Sequence, residues 1–564
     1  MNLFPPLFRR TLLSATAITA VAAAQPIMPT AGELISAPKF PQGAYFRQYF
    51  GRDIPRVELM PPVRLQDFMV GDHLELSLRG YLELVLANNT EIQIQKLTVE
   101  TFKNNITGAF GRFDPIFTTS FQATRQQQQA NTILAGANEL STLNQPFQAA
   151  YQQTLESGTQ YTVGFGATKF STNDSFATFN PSINSNLRLT FTQPLMRDRG
   201  AAVNRIPIML ARSRYRQAEY NVQDQLLRII DAAERAYWAV IEQREVLRVN
   251  EGALQVSGEI LKRSQRELEL GAISALEIFQ PQQNYAFSEI AVTQSRYNLQ
   301  QAEDALRRQM GADLDPQFRN VPIVLTESTL PPSDERPLDK EQWVEIAYQK
   351  RPDLKAVLQN FDIDDLQYRQ VRNRLLPDLA LTGTYISSGR GGNFIPRQNN
   401  LGSGVSVASR LVPGGLGDAL HHVFGFDFPT YTMGLTLRLP LRDRQAQADL
   451  ANAVIAKRLD TLRARNTEQQ IRLEVANAVT RVESSRASVK QAQVALDFSI
   501  KRRNAEQQRY DLGVSTIFLL IQAEQDRNRA EGDLVTRSVQ YRRDLLNLLR
   551  VSGTLLEERG IATN

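Results

Sequence analysis

The sequence predicts a mixed α and β membrane protein built as a duplicated strand and long-helix repeat. Three observations carry this. Two helical patterns end in Leu-Gly, at Leu270-Gly271 and Leu512-Gly513, with the glycines 242 residues apart. Two strand patterns follow Pro115 and Pro377, which stand 262 apart. Two long runs, Asn204–Leu270 and Gln445–Leu512, carry no proline except Pro207. At 1.5 Å per residue each run makes a rod of about 100 Å.

The 564 residues carry a net charge of +5, 22% charged side chains and no cysteine. Absence of cysteine excludes disulfides, thiol catalysis and thiolate metal sites. Lys and Arg are dispersed along helical patterns as a solvated face, with no basic patch interleaved with aromatics, so no nucleic-acid partner is expected.

Arg9 and Arg10 precede an apolar run, Thr11 to Ala24, that ends in Ala22-Ala23-Ala24. This pattern predicts a signal peptide over 1–24, cleaved after Ala24. The run is shorter than the ~20 residues of a spanning helix. Nothing downstream approaches that length, so any membrane entry must be by strands. Residues 25–73 form a Pro-rich N-terminal extension, either extended over another surface or without order.

The first repeat covers 74–311 and the second 338–553, joined by a linker at 312–337 and followed by a C-terminal tail, 554–564. Each repeat opens with a capped helix: Ser77 caps a helical pattern running to about Phe110, and Asp339 caps its counterpart. A strand follows each, Ile116–Phe121 and Asp378–Tyr385. A second strand follows later in each copy, at Leu187–Thr192 and Tyr431–Leu439, where apolar and polar residues alternate. Both end alike, in Gln193-Pro194-Leu195 and Leu439-Pro440-Leu441, followed by Arg-Asp-Arg. The polar inserts Thr124–Ser182 and Ser387–Phe428 read as loops, with Tyr161–Phe165 as one extra strand.

Along the rods, Ala233, Val240, Leu247 and Leu254 fall on Val475, Val482, Val489 and Leu496 after a shift of 242, at heptad spacing. Past each tip the chain returns as a shorter helix, Ala275–Met310 and Thr516–Val551. Gly271 and Gly513 stop the rods in the left-handed conformation. Ser274 and Thr516 open the next helices, and Val321–Leu325 reads as a short strand in the linker.

Four alternating strands cannot stand alone in a bilayer, because open edges leave backbone groups unpaired in hydrocarbon. Several chains must therefore share one barrel, whose polar face lines a lumen. The rods continue that ring as a tube.

The element order, the duplication, the Arg509-Tyr510-Asp511-Leu512-Gly513 tip and the Thr192-Gln193-Pro194-Leu195 run resemble the TolC-like outer-membrane efflux protein (outer membrane factor) family over about 74–553. The resemblance implies a homotrimer with a twelve-stranded β-barrel continued by a twelve-helix periplasmic α-barrel. It implies an outer-membrane location in a Gram-negative cell, contact with outer-membrane lipid, and partners in a periplasmic adaptor and an inner-membrane pump. The expected role is the passive, porin-like exit duct of a tripartite efflux or type I secretion system, without catalytic, cofactor or metal residues. A periplasmic coiled-coil adaptor fits the hairpins but not the strands; a fibrous surface protein fits the heptads but not the duplicated junctions.

Relatives in that family constrict the entrance with aspartates six and nine residues past the second tip glycine. Here those positions hold Leu519 and Gln522, and the first tip offers Glu277 and Gln280. Glu277 either supplies a ring of carboxylates or completes a capping box with Ser274. The family's basic latch residue is replaced by Ser515. Phe518 and Leu519 are candidates for an apolar constriction that gates by dewetting. The tips, with Leu270, Gly271, Ser274, Leu512, Gly513 and Ser515, are the expected adaptor-docking sites. Pro281 either kinks the returning helix or is a tolerated irregularity. His421-His422 reads as a solvated loop rather than a metal site, and Gly389–Gly392 lacks the Lys and Ser/Thr of a nucleotide loop.

Overall fold

The computed structural model describes residues 64–129, 137–175, 177–329, 338–399, 406–408 and 410–561. The expected signal peptide, and the expected extension as far as residue 63, lie outside the described residues.

The chain enters through β1 (Met69–Val70) and β2 (His73–Leu76) and then α1 (Leu78–Asn88) and α2 (Thr90–Phe110). Ser77 caps α1 by accepting from the Gly80 amide at 3.1 Å. The pattern read as one helix is two. Asn89 ends α1 in an extended conformation, and its side chain caps α2 by accepting from the Glu91 and Ile92 amides. The second copy breaks at the equivalent place, 262 residues on, where α6 (Lys340–Lys350) stops at Arg351 and α7 (Pro352–Arg374) starts on a proline. Proline suits a first turn because its missing N–H would be unpaired there anyway.

Four strands and a fifth piece follow α2: β3 (Ile116–Phe121), β4 (Thr124–Gln129), β5 (Glu139–Thr154), β6 (Gln160–Thr172) and β7 (Phe179–Pro194). After the short α3 (Ala201–Asn204) comes the rod α4 (Ile206–Glu269), then α5 (Phe279–Gln309) and β8 (Ile323–Leu325). In the second copy α7 leads to β9 (Asp378–Phe394), a small hairpin of β10 (Arg397–Asn399) and β11 (Ser406–Ala408), α8 (Leu416–Gly425) and β12 (Pro429–Arg438). The second rod α9 (Arg444–Asp511), the returning α10 (Ile517–Ser552) and the turn α11 (Leu555–Glu558) complete it.

The large sheet is antiparallel in the order β12-β9-β7-β6-β5-β3. β4 lies end to end with β3 along β5, so the sheet is six strands wide. This corrects the reading of Thr124–Ser182 as a loop: β4, β5, β6 and the start of β7 occupy it. The expected extra strand Tyr161–Phe165 is the middle of β6. Ser387–Phe428 is likewise not one loop, because β9 continues to Phe394 and α8 follows. Gly389 and Gly391 let α8 lie on the sheet. A Cβ on Gly389 would stand 2.0 Å from the Ala419 carbonyl oxygen, and one on Gly391 2.1 Å from that of Gly415.

Alternation is in phase across all six strands. One cross-strand row reads Phe117, Tyr151, Val163, Leu189, Tyr385 and Tyr431. The adjacent row on the other face reads Ile116, Gln152, Thr162, Thr190, Thr384 and Thr432. Successive residues of a strand point to opposite faces, so one face is apolar and the other mostly polar.

The helices pack as two rows. On the strand side of the rods, α2 lies against α4, α4 against α7 and α7 against α9. On the tip side, α5 lies against α4, α4 against α10 and α10 against α9. The rows meet where the returning helices end. Gly311 and Gly553, both with positive φ, press against the two helix breaks, Asn88 and Arg351. Asn89 Nδ2 donates to the Gln309 carbonyl at 3.0 Å, and Arg351 Nη1 to that of Val551 at 3.3 Å. The residue that breaks each opening helix thus serves an orphan carbonyl of that repeat's returning helix.

The core is concentrated at this level. Leu76, Tyr81, Val85, Ile230, Tyr237 and Met310 are buried in the first copy; Val344, Ala347, Ile471, Val475, Val479 and Val551 in the second. Each large aliphatic side chain buried here contributes about 1.5–3 kcal/mol. Of the heptad positions, Ala233, Val240, Val475, Val482 and Val489 are buried, whereas Leu247, Leu254 and Leu496, nearer the tips, are half-buried.

Candidate functional site: the paired helical tips

Both rods end in the same hydrogen-bonded motif. At the first tip the Gly271 amide donates to the Leu268 carbonyl at 3.0 Å and the Ala272 amide to that of Glu267 at 2.8 Å. At the second, Gly513 donates to Tyr510 and Val514 to Arg509, both at 2.9 Å. This doubled closure needs a left-handed residue just past the helix, and Gly271 and Gly513 have φ of 71° and 75°. A Cβ on Gly513 would meet nothing within 4 Å, so only the backbone conformation demands glycine there. Gly513→Ala is expected to cost about 1 kcal/mol, the left-handed penalty of an L-residue. Thermal melting of the Ala variant against wild type checks this.

The returning helices start differently from one another. Thr516 is the N-cap residue of α10, although its side chain makes no capping bond. α5 starts at Phe279, with Ile278 as its N-cap residue, not at Ala275. Pro281 explains the delay: a helix begun at Ala275 would need the amide that Pro281 lacks. Pro281 therefore stands in the first turn and kinks nothing. The capping-box reading of Ser274 and Glu277 is corrected for the same reason, since Ser274 is not at the N-cap; Glu277 is exposed, in a turn whose amide donates to the Ser274 carbonyl.

Leu270 and Leu512 are 83% and 77% exposed, and they cap the ends of the two rods. Phe518 and Leu519 are exposed on α10, beside the buried Leu520 and Ile521. Gln522 is exposed and Gln280 half-buried. Asn284 on α5 accepts from Gln525 on α10 at 2.8 Å, so the returning helices meet just inside the tips.

A cross-tie between the hairpins was not read from the sequence. Arg263 donates to Asp511 Oδ1 at 2.8 Å and to Glu267 at 3.0 Å. The Tyr510 hydroxyl donates to Glu267 Oε2 at 2.7 Å, and the Arg263 guanidinium lies 4.8 Å from the centre of the Tyr510 ring. Arg263 holds the Asp511 carboxyl below its ordinary range, with help from Gln507. Burial, then the bond to Glu267, pushes the Tyr510 phenol up to about 12. Ser515, where a basic latch was absent, instead donates to Glu506 Oε2 at 2.9 Å within its own hairpin. The Arg263/Glu267 pair has helical i,i+4 spacing and was legible as such. Its partners lie some 240 residues away, and only the fold brings them together.

Residues 343–554 match the family model "Outer membrane efflux protein". The second half of the chain is therefore similar to the outer membrane efflux proteins. Proteins of this family are non-enzymatic transport proteins of the outer membrane. No curated protein sequence matches the chain. Solved structures share this chain's fold at low identity. The CmeC outer membrane channel of Campylobacter jejuni is 15% identical, with 90% of this chain and 94% of that one covered and a TM-score of 0.59. The outer membrane protein VceC of Vibrio cholerae is 15% identical, covering 84% and 96%, at 0.59. The MtrE outer membrane channel of Neisseria gonorrhoeae, in an open state, is 16% identical, covering 85% and 89%, at 0.54.

Proposed function

We propose that three copies of this chain form a passive exit duct from the periplasm through the outer membrane. A periplasmic adaptor and an inner-membrane pump, as partners, supply cargo and energy. Residues 74–311 and 338–553 act as its two repeats, with the described part of the linker between them, 312–329, at the belt where the helix rows meet.

The observation that carries this reading is the pattern of open edges. β3 with β4 and β12 are the two outer strands of the sheet, and both are exposed along their length. An open sheet edge is not tolerated in hydrocarbon. The helix rows end on the same sides. α2 and α5, next to β3 in the chain or the row, expose Ile94 and Leu97, and Phe287, Ile290 and Tyr297. α9, which continues β12, exposes Ile455, Leu459 and Leu462, and farther down Val494 and Phe498. One apolar flank fits the other on a second copy, a head-to-tail contact that closes as a ring. The apolar sheet face then meets lipid and the polar face lines the lumen.

The six tips of a trimer surround the periplasmic mouth. We assign adaptor docking to the exposed Leu270 and Leu512 with Gly271, Ser274, Gly513 and Ser515. Phe518 and Leu519 are assigned to an apolar constriction, flanked by Gln522, Gln280 and Glu277. Leu519→Asp is expected to hydrate that constriction and raise the single-channel conductance in planar bilayers; unchanged conductance removes Leu519 from the gate. Fractionation tests the reading as a whole. Trimers that dissociate on heating should be found in outer membranes, and a soluble monomer in the periplasm would refute it.

A further inference from the structure

We infer that the trimeric barrel has eighteen strands, six from each copy, because the β5–β6 hairpin is part of its wall. The inference rests on the trimer proposed above. It replaces the twelve strands that four spanning strands per chain would supply.

Three features place the hairpin in the wall. First, it is paired on both sides. β6 pairs with β5 from Thr142↔Thr172 to Thr154↔Gln160 and with β7 from Gln160↔Thr192 to Phe170↔Ser182. β5 pairs with β3 from Ile116↔Gln152 to Phe121↔Phe147. Among the described residues of one copy, β3 joins the sheet through β5, so the hairpin cannot leave the wall without detaching the first strand from its own sheet. Second, its side chains keep the phase of the other strands. Tyr151 and Val163 fall in the same row as Leu189 and Tyr385, while Gln152 and Thr162 fall in the row of Thr190 and Thr384. A hairpin folded over the lumen or lying in water has no reason to carry that alternation. Third, two added strands preserve direction. β12, β9, β7, β6, β5 and β3 alternate, so β3 still meets a neighbour's β12 antiparallel. An odd insertion would have broken closure.

Barrel diameter grows about linearly with strand number, so eighteen strands give a bore about half as wide again as twelve. That width lies in the range in which porins hold an open aqueous channel. Cargo size is therefore filtered at the tips and not in the outer membrane, and the barrel passes solutes as large as the tips admit.

The chain contains no cysteine, so a single introduced thiol reports its own position. Single cysteines at Gln148, Gln152, Thr162 and Thr168, and at Phe147, Ala149, Val163 and Phe165, are placed in the full-length protein reconstituted in vesicles. The first four are expected to react with a water-soluble maleimide. The second four are expected to lose that reaction and, when carrying a fluorophore, to be quenched by brominated lipid. Uniform labelling of all eight in protein that still migrates as an unheated trimer overturns the eighteen-strand wall while leaving the duct reading intact. Protein that never migrates as a trimer overturns both.

Discussion

Arg559→Ala is expected to destabilise the folded chain by about 3–5 kcal/mol, the cost of stranding a buried charge. Glu234, in the middle of α4, is 1% exposed. Arg559 grips both of its oxygens, through Nε at 2.9 Å and Nη2 at 2.5 Å, and the Trp238 indole N–H donates to it at 3.3 Å. Without Arg559 the carboxylate keeps the indole N–H as its hydrogen-bond donor, and the Arg542 guanidinium over the Trp238 ring is the remaining nearby positive charge. The pair also fastens the end of the chain, 325 residues away, to the belt where both helix rows meet. The melting temperature of the folded protein, and the heat-dissociation temperature of the proposed trimer, should therefore fall sharply in Arg559→Ala. Adding Glu234→Gln should recover part of the loss, because a neutral amide costs less to bury unpaired. If the double variant melts below the single one, the stranded-charge account is wrong.

The second large effect concerns opening. Arg263→Ala with Tyr510→Phe removes both cross-hairpin ties at the tips. Exposed ion pairs and hydrogen bonds of this kind contribute about 0.2–1 kcal/mol each. Both ties join the two hairpins of one copy, so their loss in the proposed ring is expected to shift the closed-to-open ratio toward open. Planar-bilayer recordings should show the double variant predominantly open where wild type is predominantly closed. The pH dependence follows from the two shifted groups. Asp511 has a depressed carboxyl pKa, so its contribution is present above the ordinary range near pH ~4 and is lost as pH falls through the lower folded value. Tyr510 has a raised pKa, so its contribution is present below about pH 10 and is lost as pH rises through about 12. Wild-type channels should accordingly stay closed between those limits and open in acid. Arg263→Ala should flatten the acid limb.

The long elements were legible because each rests on a local rule repeated many times. The rods follow from proline-free heptads, the tips from Leu-Gly, and the strands after Pro115 and Pro377 from alternation. Repetition at 242 and 262 residues aligned the main helices and strands of the two copies before any contact was known. What escaped was set by distant partners. β5 and β6 were hidden in a Gln- and Asn-rich composition, since a strand with one face on water keeps only every second residue apolar. Gly389 and Gly391 read as loop residues, yet they are glycines because α8 crosses a strand there. Glu277 and Ser274 looked like a capping box until Pro281 moved the helix start to Phe279. The tie of Arg263 and Glu267 to Tyr510 and Asp511 is a contact between hairpins, and no local spacing announces it.

Electron cryomicroscopy of the protein extracted from outer membranes tests the central claim most directly. The result expected is a ring of three copies, each β3 edge against a neighbouring β12 edge, with the rods closing a tube below. A monomer, or an oligomer in which those two edges remain unpaired, would contradict it.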